Sequence, residues 1–445
     1  MTITEAWPLG QSPAAPWAGG PAPLDAPGTY PVPSGRGRWR LTLAQRDYAA
    51  GTVFSQRIVA DLLDARSRRL EQQLNQSATL TFTIDGHSQS AVLMRELAHE
   101  VVAWRWDDQT GTDVPVFVGP ICQTQDQLTE QSYTINVTCH DYVAILSRRL
   151  LTSTMNIIQQ DQDAIVGQLL TGNWSSSSGV SLFPGANLGL ATMSLDPSSA
   201  PRGLSGQVRD RAYTAQSNVL EQLQNLSAVV GGFDFDVRPR PSDVRSYVRI
   251  FYPYQGILRP TPELIYGSTV STVDRTVNSA DYANYWRVLG NNGDSDPATP
   301  QLFAEAWDPN ASAGQLGAVG LWASGDNESD VSQIQTLIDK AGGSGLVTTP
   351  SGGLLGQSSL LVPSYSLGRR PGAYNWGSPN MGDVVPLIIQ AGRLNVNTTV
   401  RVVAITYGIG DDGDENVELT VGRPDVTFGD IFRGRDRDID ALARR

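Results

Sequence analysis

Apolar and polar residues alternate with a period of two in several segments between residues 78 and 150. The segment 79–85 is Thr-Leu-Thr-Phe-Thr-Ile-Asp, and 133–139 is Tyr-Thr-Ile-Asn-Val-Thr-Cys. Two further segments, around 101–106 and 114–118, also place apolar side chains on one face. This alternation is typical of half-buried antiparallel strands. It predicts four strands, each with one face in a core.

The end of this region predicts a turn and a helix. Gly119-Pro120 is expected to end the regular pairing of the third strand. Asp141 is a suitable N-cap for a short helix. Its apolar stripe would contain Tyr142, Ile145, Leu146 and Leu150. The region therefore predicts a small barrel or sandwich plugged by a helix.

A different pattern follows, from 151 to about 265. Residues 162–170 predict a short helix, and Asn218 predicts the N-cap of a second. Gly231-Gly232 would end that second helix. The following Phe-Asp-Phe-Asp-Val at 233–237 predicts a strand that pairs with 247–252. These features indicate a mixed α/β region.

Strand patterns return after residue 266. A strand is predicted at 283–290 and a helix after Ser329 or Asp330. Residues 399–407 and 416–421 predict a final hairpin. In it, one apolar face would contain Val400, Val402, Ala404 and Thr406, opposite Val417, Leu419 and Val421.

The predicted fold class is β-rich α+β, with two small barrel-like β domains flanking a mixed α/β middle domain. The predicted borders are 1–35 for an extended arm, 36–150 for the first β domain and 151–265 for the middle domain. The second β domain would span 266–425, with a helical and loop insertion at about 300–380, and a charged tail would follow at 426–445.

The two ends of the chain differ in composition from the rest. Residues 1–35 contain eight prolines and five glycines, which is typical of a disordered leader or of an extended arm. In the second interpretation Trp7 and Trp17 would dock on a neighbouring subunit. The tail from 425 alternates Arg and Asp, and could form a short docking helix through Ile431, Phe432, Ile439 and Leu442.

Composition limits the function classes. The chain has 445 residues and a net charge of −12, and Lys340 is its only lysine. Specific nucleic-acid binding is disfavoured because there is no basic stripe to neutralise phosphates. We expect no secretory leader and no membrane anchor, since the most apolar run, 384–389, is short and contains Pro386. Cys122 and Cys139 are expected to lie out of register, without a disulfide.

The sequence predicts no catalytic, cofactor-binding or metal-binding residue, and hence no enzyme. The three histidines, His87, His99 and His140, lack metal-site spacing, and no G-x-S-x-G motif occurs. The carboxylates of Asp234 and Asp236 would share a strand face, as in a glycosidase pair, but a solvated face is the favoured interpretation.

Two other candidate sites have simpler explanations. The acidic residues Asp411, Asp412, Asp414 and Glu415 lack calcium-loop spacing and fit a hairpin turn. Among the tryptophans, Trp104 and Trp106 are expected in the core or at an interface. Trp322 and Trp376 are placed in loops, where they are better candidates for contacts.

Several of these segments carry a family resemblance. The order Thr-Phe-Thr-Ile-Asp-Gly, Val-Val-Ala-Trp-Arg-Trp and Val-Thr-Cys-His-Asp-Tyr-Val-Ala-Ile-Leu-Ser-Arg-Arg is similar to the N-terminal part of tail-hub proteins of long-tailed bacteriophages. The helix with its double glycine and Phe-Asp-Phe-Asp-Val strand resembles the hub middle domain. Gly382-Asp383-Val384 and the final hairpin resemble the second, tail-tube-like barrel.

The resemblance implies a structural virion protein, assembled in the host cytoplasm and located at the tail tip. It implies a homotrimer that closes the tail tube and adapts its six-fold symmetry to three-fold fibres, with roles in host attachment and DNA passage. For such a passage we predict an acidic lumen, because like charge would keep DNA from sticking. The implied partners are the distal tail protein ring, the tail tube, the tail fibres or other tip proteins, and the tape measure protein. No cofactor is implied.

Two alternatives remain open at the level of sequence. One is a carbohydrate-binding adhesion module that binds cell-wall glycan. The other is a cell-wall hydrolase whose activity would depend on Asp234 or Asp236.

Overall fold

We analysed a computed structural model of the chain. It describes residues 39–47, 55–107, 111–151, 154–171, 194–195, 207–227, 232–239, 246–252, 254–261, 263–277, 285–290, 303–307, 320–325, 347–348, 354–355, 363–371, 378–411 and 415–422. Only the backbone is described at 46–47, 55–57, 171 and 194–195, and in the strands between 285 and 355.

The first part of the chain forms seven strands and two short helices, which confirms the four predicted strands. The helices are α1 (Gln89–Leu93) and α2 (Tyr142–Leu146). The strands are β1 (Trp39–Asp47), β2 (Ser55–Asp61), β3 (Arg66–Gln73), β4 (Thr79–Asp85), β5 (His99–Asp107), β6 (Thr112–Leu128) and β7 (Tyr133–His140).

The predicted helix cap is confirmed, but the helix is shorter than predicted. The carboxylate of Asp141 accepts the backbone N–H of Val143 at 3.0 Å. Leu150 lies beyond the end of α2 and is half exposed, so its place in the helical stripe was wrong. Strand β6 also continues through Gly119-Pro120. What ends at Pro120 is its pairing with β5, and from Ile121 onward it pairs with β7.

The middle part contains the predicted helices and hairpin. The side chain of Asn218 accepts the N–H of Glu221 at 3.1 Å, as an N-cap does. The elements are β8 (Met155–Asp161), α3 (Gln162–Thr171), β9 (Ser194–Leu195), β10 (Val208–Tyr213), α4 (Val219–Ser227), β11 (Asp234–Pro239) and β12 (Ser246–Phe251).

The last part is again built from strands. The helix predicted after Ser329 lies outside the described residues. The strands are β13 (Leu264–Ile265), β14 (Val270–Thr276), β15 (Tyr285–Gly290), β16 (Phe303–Trp307), β17 (Gly320–Gly325), β18 (Val347–Thr348), β19 (Leu354–Leu355), β20 (Ser364–Arg369), β21 (Val384–Ala391), β22 (Leu394–Ile409) and β23 (Glu415–Val421).

The predicted fold class of two separate barrel domains around a mixed α/β domain is wrong. Strands from both ends of the chain form one sheet, in the order β14-β20-β23-β22-β3-β4-β7-β6-β5-β1-β2, with β13 and β21 branching from β22. The pairing of β3 with β22 joins the two halves. The end strands β14 and β2 do not pair with each other, so the described sheet is open. Strands predominate over helices, and the middle part contributes two longer helices, α3 and α4.

Two apolar cores hold these parts together. The first core combines side chains of β1, β3–β7 and β20–β23, with Phe82, Leu70 and Leu419 almost fully buried. The second joins the opposite side of β5 and β6 to the middle part, with Trp104, Leu223 and Phe235 buried. Both cores therefore extend across the predicted domain borders.

The long strand β22 contains a bulge that changes which side chains face the core. Its pairing with β23 shifts between Val402 and Ala404, so the alternation changes phase there. Beyond the bulge, Ile405, Tyr407 and Ile409 are buried. The prediction that Ala404 and Thr406 face the core was therefore wrong, because it assumed unbroken alternation.

Candidate functional site

One face of the large sheet is polar and solvent-accessible over eight neighbouring strands, from β6 to β14. Cross-strand registers place Gln123, Thr138, Thr81 and Arg69 in one row. The side chains between them face the first core. We call this surface the polar face; it contains Gln123, Gln125, Gln127, Thr134, Asn136, Thr138, Thr79, Thr81, Thr83, Arg66, Arg69, Glu71, Gln73, Ala404, Thr406, Gly408, Asn416, Glu418, Thr420, Ser364, Ser366, Gly368, Thr272, Asp274 and Thr276.

Most residues of the polar face are uncharged. Arg69 and Glu71 neutralise each other, with Nε and Oε1 2.6 Å apart. The hydroxyl of Ser366 donates to the carboxylate of Glu418. Threonine suits such a surface because it combines high strand propensity with a small polar side chain. The face therefore has few charges and only a slight acidic excess.

Two strand edges bound the polar face. Beyond Pro120, strand β6 pairs with β7 on one side, and no described strand pairs with the other side of 123–128. At the far end, β20 is the one described strand that pairs along β14, and a single bridge joins Val270 at its start to Tyr266. Edge strands present unpaired N–H and C=O groups to which another chain can add. Each end of the polar face thus offers a place for a neighbouring molecule.

The acidic pair in β11 does not lie on a solvated face, which corrects the favoured interpretation. Asp234 is 7% exposed. Its carboxylate accepts hydrogen bonds from the Asn75 side chain at 3.1 Å, from the Gln255 N–H at 2.6 Å, and from the guanidinium of Arg401. Asp236 accepts two hydrogen bonds from Arg249, at 2.7 and 2.5 Å. Both carboxylates are thus engaged in ion pairs within the protein.

These contacts form a junction between three parts of the chain, which we call the Asp234 junction. Asn75 lies in the turn between β3 and β4, and its side-chain oxygen accepts the N–H of Phe235 at 2.7 Å. Arg401 of β22 donates to the carbonyls of Gly382 and Gln255. Asp383, 1% exposed, pairs with Arg259 at 2.5 Å.

Two glycines allow this close packing. Gly256 and Gly382 have φ angles of +89° and +83°, in the left-handed region that favours glycine. A Cβ atom on Gly256 would lie 2.1 Å from the backbone carbon of Gly382. No sequence pattern identified this junction. One of its glycines, Gly382, nevertheless belongs to the Gly-Asp-Val motif that carried the resemblance.

The acidic segment at 411–415 has two described residues with different surroundings. Asp411 is exposed and accepts the N–H of Ser67 at 3.2 Å. Glu415 is 3% exposed and pairs with Arg105, with Nη2 and Oε2 3.1 Å apart, and it accepts the indole N–H of Trp39 at 2.9 Å. Asp412 and Asp414 lie outside the described residues. Glu415 therefore joins β23 to β5 and β1.

A recess of about 490 Å³ lies next to Glu415. Ser67, Arg68, Pro371, Gly408, Gly410 and Asn416 contribute to its wall. The guanidinium of Arg68 donates to the carbonyls of Trp39 and Gly410, and burial lowers its pKa. The positive charge that Arg68 contributes to the wall of the recess is thus already hydrogen-bonded to backbone carbonyls.

The histidines and cysteines occupy structural positions. The ring of His87 packs edge-on against Tyr133, and Nδ1 of His140 lies 3.1 Å from the Thr79 hydroxyl. Burial lowers the pKa of His99 and raises that of the Cys139 thiol. Cys139 pairs with Ile121, and Cys122 falls at the β6 bulge; both are free thiols. The described residues contain no group of three or more potential metal ligands.

The predicted locations of the tryptophans are correct for the pair in β5 and wrong for Trp322. Trp104 and Trp106 are buried in β5, which confirms their placement. Trp322 lies in strand β17 rather than in a loop, and Trp376 lies outside the described residues. In the described part of the chain no helix has the length and apolar character needed to cross a membrane.

The fold is that of phage tail proteins. No protein-family model matches the sequence, and no curated protein matches it. Among solved structures, the chain is similar to the 43 kDa tail protein of prophage MuSo2 from Shewanella oneidensis, with a TM-score of 0.52 and 11% identity, over 87% of this chain and 99% of that one.

Two other phage or tail proteins also match. A tail protein from Neisseria meningitidis MC58 matches with a TM-score of 0.49 and 10% identity, over 88% of this chain and 99% of that one. Prophage tail protein gp18 from Listeria monocytogenes EGD-e matches with a TM-score of 0.46 and 10% identity, over 90% of this chain and 99% of that one. At the level of fold, the match to the MuSo2 tail protein confirms the resemblance to phage tail proteins.

Proposed function

We propose that the protein is a structural subunit of a phage tail tip: a homotrimeric hub that closes the tail tube and adapts its six-fold symmetry to three-fold fibres. In this role it contributes to host attachment and DNA passage, and it has no catalytic activity. Its partners are the distal tail protein ring, the tail tube, the fibres or other tip proteins, and the tape measure protein.

The observation that carries this proposal is the polar face. A sheet face that spans eight strands and is solvent-accessible, polar and low in charge suits the wall of a water-filled passage. DNA adheres to proteins through Lys and Arg contacts with phosphates. Two arginines lie on the described part of this face: Arg69 is paired with Glu71, and Arg66 lies beside Thr83. With so few cations, the face offers a phosphate little to bind.

The open strand edges support an assembly around such a passage. A sheet whose edges at 123–128 and at β14 pair with no further strand among the described residues can be extended by neighbouring copies. A heterologous contact of this kind closes into a ring when the rotation is right. Three copies would then enclose a lumen lined by the polar face of each.

Native mass of the purified chain is the first test. A trimer would weigh 3 × 47.9, about 144 kDa. A trimer that dissociates when an edge is blocked, for example by Thr272→Pro, would support ring closure through β14. A trimer that persists when either the edge at 123–128 or the edge at β14 is blocked would argue for another interface. A monomer that binds cell-wall glycan would favour an adhesion module.

A second test addresses the lumen. Replacing Thr81 and Thr83 by arginine places two cations on the polar face, and we expect slower genome ejection from virions that carry this variant, because phosphates would be retained. The matched control is Gln89→Arg with Asn156→Arg, at exposed positions away from the polar face. Equal ejection rates for the two variants would contradict a lumenal polar face.

A third test addresses the absence of catalysis. Asp234 and Asp236 already bind arginines of the same chain, so neither carboxylate is free to act on a sugar. We expect no release of fragments from peptidoglycan. Turnover that is lost in Asp236→Asn, with the fold intact, would show instead that the protein is a hydrolase.

A further inference from the structure

A second surface, unlike the polar face, has an apolar outer side. Strands β21 and the first half of β22 form a ribbon. Along the outer edge of β21, Leu258 and strand β13 pair with it in parallel. Val385, Leu387 and Ile389 point into the first core. Alternation therefore places Val384, Pro386 and Ile388 on the outer side.

The edge segment adds to this outer side. Leu258 is the bridge partner of Val384, and Ile265 pairs with Ile388, so their side chains share the outer face. Leu258 is 68% exposed. We call the five residues Leu258, Ile265, Val384, Pro386 and Ile388 the ribbon patch. A contiguous apolar patch on a solvent-facing sheet is typical of a contact site.

The chain itself supplies a segment that begins next to the patch. The described structure ends at Gly422, whose N–H donates to the carbonyl of Arg401 at 3.0 Å. Arg401 is the cross-strand partner of Val384. Gly422 and Leu258 are thus separated by three strand spacings, roughly 14 Å, and 23 residues, 423–445, follow Gly422.

The sequence of this tail suits an apolar partner. On a helix, Ile431, Phe432, Ile439 and Leu442 fall within an arc of about 100°. From Ile431 to Leu442 such a helix measures roughly 16 Å, close to the roughly 13 Å between Val384 and Ile388 along β21. The nine residues from Gly422 to Ile431 can span up to about 30 Å, more than the distance required.

We propose that the C-terminal tail of the same chain docks on the ribbon patch, with its apolar stripe against Leu258, Val384 and Ile388. The short tether favours the chain's own tail over a neighbour's, because it holds the tail at a high effective concentration. Docking covers an apolar surface on the side of the first core opposite the polar face, and it leaves the Arg and Asp side chains of the tail in solvent.

Disulfide trapping in the full-length chain tests this placement. In a Cys122→Ser background, Leu258→Cys is combined with Leu442→Cys, on the apolar stripe, or with Arg437→Cys, on the opposite side of the predicted helix. We expect oxidation to give an intrachain bond in the first variant, formed at least tenfold faster than in the second. Equal rates, or no bond, would overturn the proposal, and a bond between two chains would assign the patch to a neighbour's tail.

A second measurement does not depend on engineered thiols. Leu258→Asp places a charge in the patch and should release the tail, so that protease cuts residues 431–442 roughly tenfold faster, as the loss of one large apolar contact implies. Val92→Asp is the matched control, since Val92 is 76% exposed on helix α1. Cleavage rates that are the same in both variants and the parent chain would contradict tail docking.

Discussion

The first β region meets the rest of the molecule along two seams that are built differently. Along the first seam it joins the C-terminal strands by backbone hydrogen bonds between β3 and β22, and a buried ion pair reinforces the joint. Along the second seam it meets the middle part mainly through side chains, in the second core and the Asp234 junction, with one short backbone bridge between Leu150 and Asn218.

The difference shows how one chain can unite distant segments in two ways. Backbone pairing tolerates many side chains but fixes register, because a slip of one residue turns every side chain to the other face. Side-chain packing fixes no register but depends on individual contacts. The first seam should therefore be sensitive at the buried pair of Arg105 and Glu415, and the second should be weakened gradually by several substitutions.

The largest effect is expected at the charge pair of the first seam. Arg105→Ala leaves Glu415 buried without its guanidinium, and it should lower the free energy of unfolding by about 3–5 kcal/mol. Urea unfolding measures this. Replacing both partners by methionine should recover most of the loss, since no charge is then buried alone; a double variant as unstable as Arg105→Ala would show that the pair has another role.

A smaller effect is expected at the second seam. Asp234→Ala removes an acceptor from Asn75, Gln255 and Arg401, and it should cost about 2–3 kcal/mol. The apolar second core remains, so the middle part should stay folded on β5 and β6. Hydrogen exchange that increases throughout the middle part to the global rate would contradict this, because it would make the junction the main attachment.

The pH dependence of stability offers a third comparison, at a residue beside the second seam. Burial raises the pKa of Asp141 to about 7, above its value of about 3.9 in an unfolded chain. Between these values the folded state holds a proton that the unfolded state has lost, so stability should fall as pH rises from about 4 to about 7.

Asp141→Asn keeps the helix cap but removes this titration. The loss of stability between pH 5 and pH 8 should therefore be smaller in the variant by on the order of 2–3 kcal/mol, as measured by urea unfolding at the two pH values. Asp210→Asn, at an exposed carboxylate, is the control. An unchanged pH profile in Asp141→Asn would show that the carboxyl group is already ionised at pH 5.

The smallest effect is expected on the polar face. Thr83→Ala removes a hydroxyl from a solvent-accessible position of β4, and the free energy of unfolding should change by about 0.5 kcal/mol or less. A larger loss in thermal unfolding would indicate that the face is packed against another part of the chain, which would count against its role as the wall of a passage.

Local pattern predicted the elements well and their partners poorly. Alternation in β4, β5, β7 and β11 identified those strands because it records one buried face. It carries no information on which distant strand lies alongside, so the β3–β22 pairing could not be predicted. The bulge in β22 reversed the alternation at Val402, and an unbroken pattern assigned Ala404 and Thr406 to the wrong side.

The candidate site could be predicted only in part from sequence, again because the pattern within a strand is local. The threonines of β4 and β7 were visible as the polar half of an alternating pattern. That they continue across β22, β23 and β20 as one surface depends on long-range pairing. The partners of Asp234 come from residues 75, 255 and 401, and no spacing in the sequence brings these positions together.

Strand β22 has a mechanical consequence. Its first half belongs to the ribbon with β21, and its second half belongs to the sheet between β3 and β23. A pull on the ribbon is therefore carried into the polar face along a single continuous backbone. In the polar face the force acts along β22, parallel to the strands. It therefore strains the hydrogen bonds to β3 and β23 all at once, in shear, and does not break them one after another.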